Sequence, residues 1–599
     1  VAVTPVVMCV SGAGETVARR VAEALGVPLH GRAGRVRGAD AVFDNALEFA
    51  RAMFAAGRPV IGVCASGILI RAVAPMLGDK RNEPPVVSVS DDGAVVVPLL
   101  GGHRGANRLA REIAGALEAV AAVTTAGDVT LGLALDEPPA GWRLGTPELA
   151  QDAMARLLGG EGARVEGAAD WLAGLPAGEM RIVAGVAPAE AGVLTFHPQR
   201  FALGVGCSRG CPPEELEALV SGMLADAGVS PYALAGVFTL DVKADEPAVL
   251  ALAARWDLPL RVFSAEELEA QAGRLVTPSE VVFAEVGCHG VSEGAALAGA
   301  GDGALRRPKR KSAMATCALA ETAEVITQLR GRPRGRLSIV GIGPGQASWR
   351  TPEVSRLVSE AEELVGYGLY LDLLGSLALG KRRSDFPLGG EEARCRHALE
   401  RAGQGRNVAL VCSGDAGIYA MGALVFELMD RGAADKGVSA AARRVEVICS
   451  PGVSALQGAA ARAGAPLGHD FCAISLSDLL TPREDILRRL KAAAEGDFVI
   501  AFYNPVSRTR RTLLAEAREI LLQHRPADTP VMLASNLGRV DELVRYRRLD
   551  ALKVDEVDML TVVLVGSSNS SLAMLGEGPR MYTPRGYARR IDGDLSETG

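Results

Sequence analysis

Between Leu337 and Phe502, four short apolar runs each break off into a turn rich in Gly, Ser, Asp or Asn. The runs are Leu337 to Val340, Val408 to Cys412, Val445 to Cys449 and Phe498 to Phe502. The turns that follow are Gly341-Ile-Gly343-Pro344-Gly345-Gln346, Ser413-Gly414-Asp415-Ala-Gly417-Ile418-Tyr419, Pro451-Gly452-Val453-Ser454-Ala455 and Tyr503-Asn504-Pro505-Val-Ser507-Arg508. Short apolar runs bounded by such turns read as buried strands; alternating with helical patterns, they predict an α/β domain with a largely parallel sheet. Val531 to Ala534 and Leu560 to Val565 continue the series. Thr351 followed by Pro352 marks a helix start, after which Val354, Leu357, Val358, Ala361, Leu364 and Val365 recur at helical spacing. In open α/β sheets ligands bind outside the carboxyl ends of strands, so the four turns are expected to converge on one crevice.

A strand, a Gly-rich turn and a helix suggest a dinucleotide site. That fingerprint needs a third Gly at position 346, where this chain has Gln, and Pro344 has no amide to offer a phosphate. The dinucleotide reading fails there. Each turn residue also has a plain structural reading: Gly414 as a turn, Asp415 as a helix cap, Ser454 as the cap of the helix after Pro451.

The chain has 599 residues, which at roughly 100 to 200 per domain predicts three to five domains. Its net charge of -7 and 4% aromatic content disfavour nucleic acid and anionic membrane as partners. No stretch approaches 18 uninterrupted apolar residues, and the apolar N-terminal run has no basic residue before it, so a cytoplasmic location is expected. The ten cysteines contain no CxxC pair, and Cys207-x3-Cys211 alone does not make a metal site, so no metal is expected. Basic clusters with Pro and Gly at Arg306 to Lys311 and Arg330 to Arg336 suit a solvated connection, with a strand and a helical tail between them. In the N-terminal half, Val6-Val10, Val60-Val63, Val86-Val89 and Val95-Leu100 read as strands. A second α/β unit starts near Phe201 with Leu203-Val205, Val237-Leu240, Arg261-Phe263 and Val281-Val286.

The four turns, with Leu476-Ser-Asp-Leu-Leu-Thr-Pro482 and Val565-Gly-Ser-Ser568, resemble the class III, S-adenosylmethionine-dependent tetrapyrrole methyltransferases over about Arg336 to Tyr587. Within that family they are most similar to the group that methylates precorrin-3B at C-17 (CobJ type). The resemblance implies two α/β lobes with the cofactor, S-adenosylmethionine, in the cleft between them. By family position Gly414, Asp415, Ile418, Tyr419, Ser454, Ala455, Leu476, Ser477, Tyr503, Asn504 and Gly566 are expected at the cofactor. Gly341, Gly343, Pro344, Gly345 and Arg508 are expected at the macrocycle, with Arg510 and Arg511 as further grips for its acidic side chains. The coupled ring contraction needs a base, for which Asp415, His469 and Asp478 are candidates.

Gly67 to Arg71, Pro75 to Lys80, Val86 to Asp92 and Pro98 to Asn107 resemble the N-terminal domain of the cobalt-precorrin-5A hydrolases (CbiG type). Gly204-Val-Gly-Cys207-Ser-Arg209-Gly210, Thr239 to Glu246 and Val286 to Ala296 resemble that family's C-terminal domain. The resemblance implies lactone opening, for which His103 with Lys80 or Lys243, and Glu293, can supply the base and oxyanion stabiliser. The expected fold class is α/β and multidomain. Its parts are residues 1–128, 129–200 and 201–325 of the hydrolase type, a basic linker at 326–335, and the two-lobed methyltransferase at 336–599. The expected function is a fused, two-activity enzyme of corrin-ring assembly acting on a small tetrapyrrole, homodimeric through the methyltransferase half. A methyltransferase fused to a non-catalytic carrier of corrinoid intermediates is the alternative, and a family member with another substrate is a third reading.

Overall fold

The computed structural model describes residues 3–78, 83–432, 435–507, 510–587 and 591, with only the backbone of His103. Three sheets form the first half. Residues 6–121 build a seven-stranded sheet centred on Val6–Cys9 and Val60–Val63, parallel except where Val86–Val89 meets Val95–Leu100. A four-stranded sheet spans residues 142–198, and a six-stranded mixed sheet runs from Phe201–Cys207 to Arg332–Pro333.

Several expectations change here. Val281-Val286 lies in the helix Glu280–Val286, with Ser279 capping it, rather than in a strand. A run of apolar residues too short to show a period reads the same in either state. The basic cluster Arg306 to Lys311 is the edge strand Ala304–Lys311, antiparallel to Ala315–Glu321. Charged side chains on an edge strand keep it from pairing with another chain. No helix lies between Glu321 and Arg332, and Arg332–Pro333 pairs with Arg261 and Val262. Arg334 then donates from Nε to Arg444 O at 2.9 Å and from Nη2 to Val445 O at 3.2 Å. The expected linker is thus built into the fold at both ends.

The first methyltransferase-like lobe is a five-stranded, wholly parallel sheet in the order Arg382–Phe386, Glu363–Tyr367, Asn407–Cys412, Arg336–Gly341, Glu446–Ser450. Thr351 caps the helix Pro352–Glu360 by accepting from Val354 N at 3.1 Å. The helix stops at Ala361, whose ψ of 138° is extended, so Leu364 and Val365 belong to the next strand and not to the helical face. The second lobe orders Phe471–Ser475, Val499–Tyr503, Thr561–Val565, Pro530–Ser535 and Leu543–Arg548; only its first pair is parallel. The largely parallel expectation holds for one lobe and fails for the other.

The N-terminal sheet domain is not separate from this half. One buried cluster contains Met8, Phe49, Met53, Phe54 and Val73 together with Val354, Leu357, Leu371, Leu374 and Leu377. Among the described residues no helix is long and apolar enough to cross a membrane.

Candidate functional site between the two lobes

Three Gly-rich turns of the first lobe are locked together at the carboxyl ends of its strands. Gly343 and Gly414 exchange both backbone hydrogen bonds, Gly343 N to Gly414 O at 3.1 Å and Gly414 N to Gly343 O at 2.9 Å. Asp415 joins the third turn: its Oδ1 accepts from Gly417 N at 2.8 Å and its Oδ2 from Gly452 N at 3.1 Å. A Cβ on Gly341 would sit 2.6 Å from Gly414 O, and one on Gly452 would overlap the carbonyl oxygens of both Gly414 and Gly341. Much of the glycine signal therefore reports close backbone approach.

The second lobe faces these turns across a cleft of about 300 Å³. Ser454 starts the helix Ala455–Ala463 through a reciprocal cap with Gln457, which realises its structural reading while leaving Ser454 and Ala455 on the cleft wall. Tyr503 Oη accepts from Leu456 N at 2.9 Å, and burial pushes its phenol pKa up although that amide opposes the rise. Tyr419 spans the cleft by donating from Oη to Ala473 O at 2.9 Å, its ring 5.1 Å from that of Tyr503. Of the seven non-glycine residues at positive φ among those described, three line this cleft: Tyr419 at 51°, Asn504 at 48° and Asn536 at 51°. Each such residue costs roughly 1–3 kcal/mol, and strain of this kind concentrates at ligand sites.

Of the residues expected at the cofactor, Gly414, Asp415, Ile418, Tyr419, Ser454, Ala455, Tyr503 and Asn504 line the cleft. Leu476 does not; it is buried in the second lobe's core, and Ser477 donates its amide to Ser475 Oγ at 3.3 Å. Gly566 lies at the far end of the sheet, its carbonyl accepting from Arg525. The reason is strand direction: Thr561–Val565 runs antiparallel to Val499–Tyr503, so Leu560 and Thr561 at its start reach the cleft and Gly566 leaves it. Of the macrocycle set, Pro344 lines the cleft, Gly341 and Gly343 support it from behind, and Gly345 packs on Gly538. Arg508 lies outside the described residues.

Asp415 alone of the three proposed bases is at the cleft. His469 precedes the strand Phe471–Ser475 and so sits at its opposite end, its Nδ1 accepting from Asp470 N at 2.9 Å. Asp478 is held by Arg510 at 3.3 Å. Arg510 also donates to Leu476 O at 2.6 Å, and Arg511 pairs with Asp555 at 2.9 Å, so both are occupied within the fold.

Lys80 and the His103 side chain lie outside the described residues. Lys243 follows the strand Leu234–Leu240 and pairs with buried Glu246 at 3.7 Å. Glu293, 1% exposed, accepts from Val276 N, Thr277 N and Lys309 N at 2.8 to 2.9 Å and from Thr277 Oγ1 at 3.0 Å. Burial would raise its pKa, but these hydrogen bonds bring it below the usual value. Such a carboxylate anchors a loop and is a poor base.

Sequence reasoning missed Tyr370, Glu391 and Arg394 from the first lobe, and Asn536, Arg539, Leu560 and Thr561 from the second. The helix Glu391–Gly403 is charged on most faces, so nothing local marks Arg394 as inward-facing. Asn536 carried one usable signal, since Asn before Leu-Gly at a strand end favours positive φ.

Residues 336–553 match the description "Tetrapyrrole (Corrin/Porphyrin) Methylases". Residues 48–128 match "Cobalamin synthesis G N-terminal" and residues 201–320 "Cobalamin synthesis G C-terminus". A "Precorrin-3B C(17)-methyltransferase" of Sinorhizobium sp is 44% identical over 255 residues, 42% of this chain and 98% of that protein. A "Probable cobalt-factor III C(17)-methyltransferase" of Salmonella typhimurium is 42% identical over 251 residues, 42% of this chain and 99% of that protein. The solved "Crystal structure of the methyltransferase CobJ" is 37% identical, covering 42% of this chain and 100% of its own, with a TM-score of 0.39. With nearly the whole length of these relatives contained in it, the chain belongs to the tetrapyrrole methylase family, joined here to both cobalamin synthesis G regions.

Proposed function

We propose that residues 336–599 transfer a methyl group from S-adenosylmethionine to C-17 of precorrin-3B, with ring contraction to precorrin-4, and that the preceding residues carry a cobalt-precorrin-5A hydrolase-like, lactone-opening activity. The observation that carries the first part is the 44% identity over 98% of the Sinorhizobium methyltransferase, in the half that holds the interlobe cleft. The cleft fits this cofactor. Ile418, Leu537, Leu560 and Val562 offer an apolar wall, and Ile418 and Leu560 are 40% and 48% exposed with nothing covering them. The Gly-rich turns supply backbone groups in place of a basic phosphate cradle. When bound, the cofactor supplies an electrophilic methyl on a sulfonium.

The chain's own work is placement. Asp415 fixes the turn that carries Ile418 and Tyr419; Tyr419 ties the lobes across the cleft; Tyr503 holds the start of the helix Ala455–Ala463; the apolar wall would exclude water once the cofactor covers it. Orientation in a dry site can contribute roughly 7–11 kcal/mol to a displacement of this kind. Incubation with methyl-labelled cofactor and precorrin-3B, followed by locating the label by NMR, tests the reading. Label at C-17 supports it, and label elsewhere or none refutes it.

For the N-terminal half, the anchored Glu293 and the Lys243–Glu246 pair favour a second reading, a non-catalytic carrier of corrinoid intermediates. Release of the two-carbon aldehyde from the lactone substrate separates the two. A homodimer through the methyltransferase half is part of the proposal. Its candidate face is the hairpin Ser571–Leu575 and Gly578–Tyr582, where Met574 is 73% exposed and Leu575 54%.

A further inference from the structure

Arg394 is an uncompensated cation in the cleft wall. It is 3% exposed, yet among the described residues no carboxylate lies within ion-pair distance of it. Its Nη2 donates to Pro387 O at 2.9 Å, its Nη1 approaches Met421 Sδ at 4.0 Å, and its Nε has no partner. Glu391 lies one turn away on the same helix and lines the same cleft, but its Oε1 accepts from Gly389 N at 3.1 Å. Buried guanidinium groups are held by carboxylates or dense hydrogen bonding, because taking the charge out of water costs several kcal/mol. Here the compensating group is missing on the side that faces the cleft.

Arg539 approaches the same region from the second lobe. Its Nε donates to Pro344 O at 3.2 Å, and among the described residues it too has no carboxylate partner. Both arginines line the same cleft as Tyr370. Burial raises the pKa of that phenol, while Arg539 and then Arg394 act against the rise, which places both positive charges within electrostatic reach of it. One wall from each lobe thus presents a fork of N–H donors to the same space.

We propose that Arg394 and Arg539 form a carboxylate-binding subsite in the interlobe cleft. The inference rests on the methyltransferase reading and deepens it. Two carboxylates are chemically available there: the amino-acid end of the cofactor and an acidic side chain of the macrocycle. Arginine suits either, since its planar fork matches a carboxylate in two parallel bonds. Such a contact also explains how an acidic chain of net charge -7 recognises an acidic substrate.

The test compares wild type with Arg394→Met, which keeps an unbranched apolar stem in the buried slot, and with Arg539→Gln in the more accessible position. Calorimetry measures binding of S-adenosylhomocysteine and of 5′-methylthioadenosine, which lacks the amino-acid arm; steady-state kinetics give KM for precorrin-3B. A cofactor contact predicts that the variants weaken S-adenosylhomocysteine by about 10- to 100-fold with 5′-methylthioadenosine unchanged. A macrocycle contact predicts unchanged binding of both nucleosides and a KM for precorrin-3B raised by a similar factor. Folded variants with wild-type values in all three measurements overturn the subsite, and Arg539→Gln decides alone where Arg394→Met does not fold. Wild type that neither binds S-adenosylhomocysteine nor methylates precorrin-3B removes the methyltransferase reading itself, a different result from a working wild type with indifferent variants.

Discussion

Replacing Asp415 with Ala should detach the cleft-lining turn without unfolding the lobe. The side chain makes two charge-assisted hydrogen bonds to backbone amides, to Gly417 at 2.8 Å and to Gly452 at 3.1 Å. Such bonds contribute about 1.5–3 kcal/mol each where water cannot replace them. Gly417 is exposed, so its amide is rehydrated and its loss is nearer ~0.5–1 kcal/mol, whereas Gly452 is partly buried and loses ~1.5–2 kcal/mol. The sum is ~2–3 kcal/mol, equivalent to roughly 30- to 150-fold in affinity when the turn must be ordered by the ligand. The reciprocal Gly343–Gly414 pair remains, so the strand ends should stay in place. Titration calorimetry with S-adenosylhomocysteine should therefore find wild type tightest, Asp415→Asn intermediate because it keeps one acceptor, and Asp415→Ala weakest, with unchanged far-ultraviolet circular dichroism. Wild-type affinity in Asp415→Ala refutes the clamp. Full affinity with abolished turnover in Asp415→Asn refutes it differently, by making Asp415 the base.

Gly452→Ala should abolish cofactor binding outright, because its Cβ meets the Gly414 and Gly341 carbonyls; a soluble variant that binds normally contradicts the packing argument. Glu293→Ala strands three backbone amides and one hydroxyl, so thermal melting should show a loss of about 3 kcal/mol or more, where a surface catalytic base would leave stability alone. Burial, helped by Arg58, pushes the His30 imidazole down to about 4 from an unfolded value near 6.5. The unfolded chain then binds the extra proton between those values, so the stability is complete above pH 6.5 and falls by roughly 3 kcal/mol as pH drops to 4. His30→Leu should flatten that acid limb in melts at pH 7 and 4.5, and an equally steep limb contradicts the assignment. Cleavage near Arg334 should leave two pieces that copurify, since Phe54 and Met53 on one side share a core with Leu357 and Leu374 on the other. Clean separation of soluble pieces argues against that shared core.

The strand ends are legible in the sequence because two independent signals coincide there. An apolar run predicts a strand, and Gly, Asp or Asn after it predicts a sharp turn, so residue order alone puts Gly414, Ser454 and Tyr503 at one crevice. Direction is not legible. Nothing in Leu560 to Val565 encodes whether it lies parallel or antiparallel to its neighbour, and the antiparallel direction brings Leu560 and Thr561 to the cleft where family position suggested Gly566. His469 shows a related failure, since it shares the motif's sequence neighbourhood but lies at the other end of the strand, whereas Asp478 follows the right end and is taken up by Arg510. Arg394 is invisible for the opposite reason. On a helix with charges on most faces, one inward guanidinium gives the same local pattern as its solvated neighbours, and only the sheet it packs against distinguishes it.

The placement of the two candidate sites constrains what the fusion can do. Lys243 follows the carboxyl end of Leu234–Leu240, beside Asp241, whose carboxylate accepts from Arg332 at 2.6 Å. Two residues on, Arg334 bonds to Arg444 and Val445, just before the strand Glu446–Ser450 begins. The hydrolase-like strand ends therefore abut the amino ends of the first lobe's strands, whereas the interlobe cleft opens at their carboxyl ends. A strand of five or six residues separates the two by about 17–20 Å, and the central strands Arg336–Gly341 and Asn407–Cys412 are buried core. A tetrapyrrole cannot pass between them through the packed sheet. Each half should then work at its own rate: Asp415→Ala should leave aldehyde release unchanged, and Lys243→Met should leave methyl transfer unchanged. A loss of more than about twofold in the untouched reaction of a well-folded variant would show that the sheet transmits more between the halves than its packing suggests.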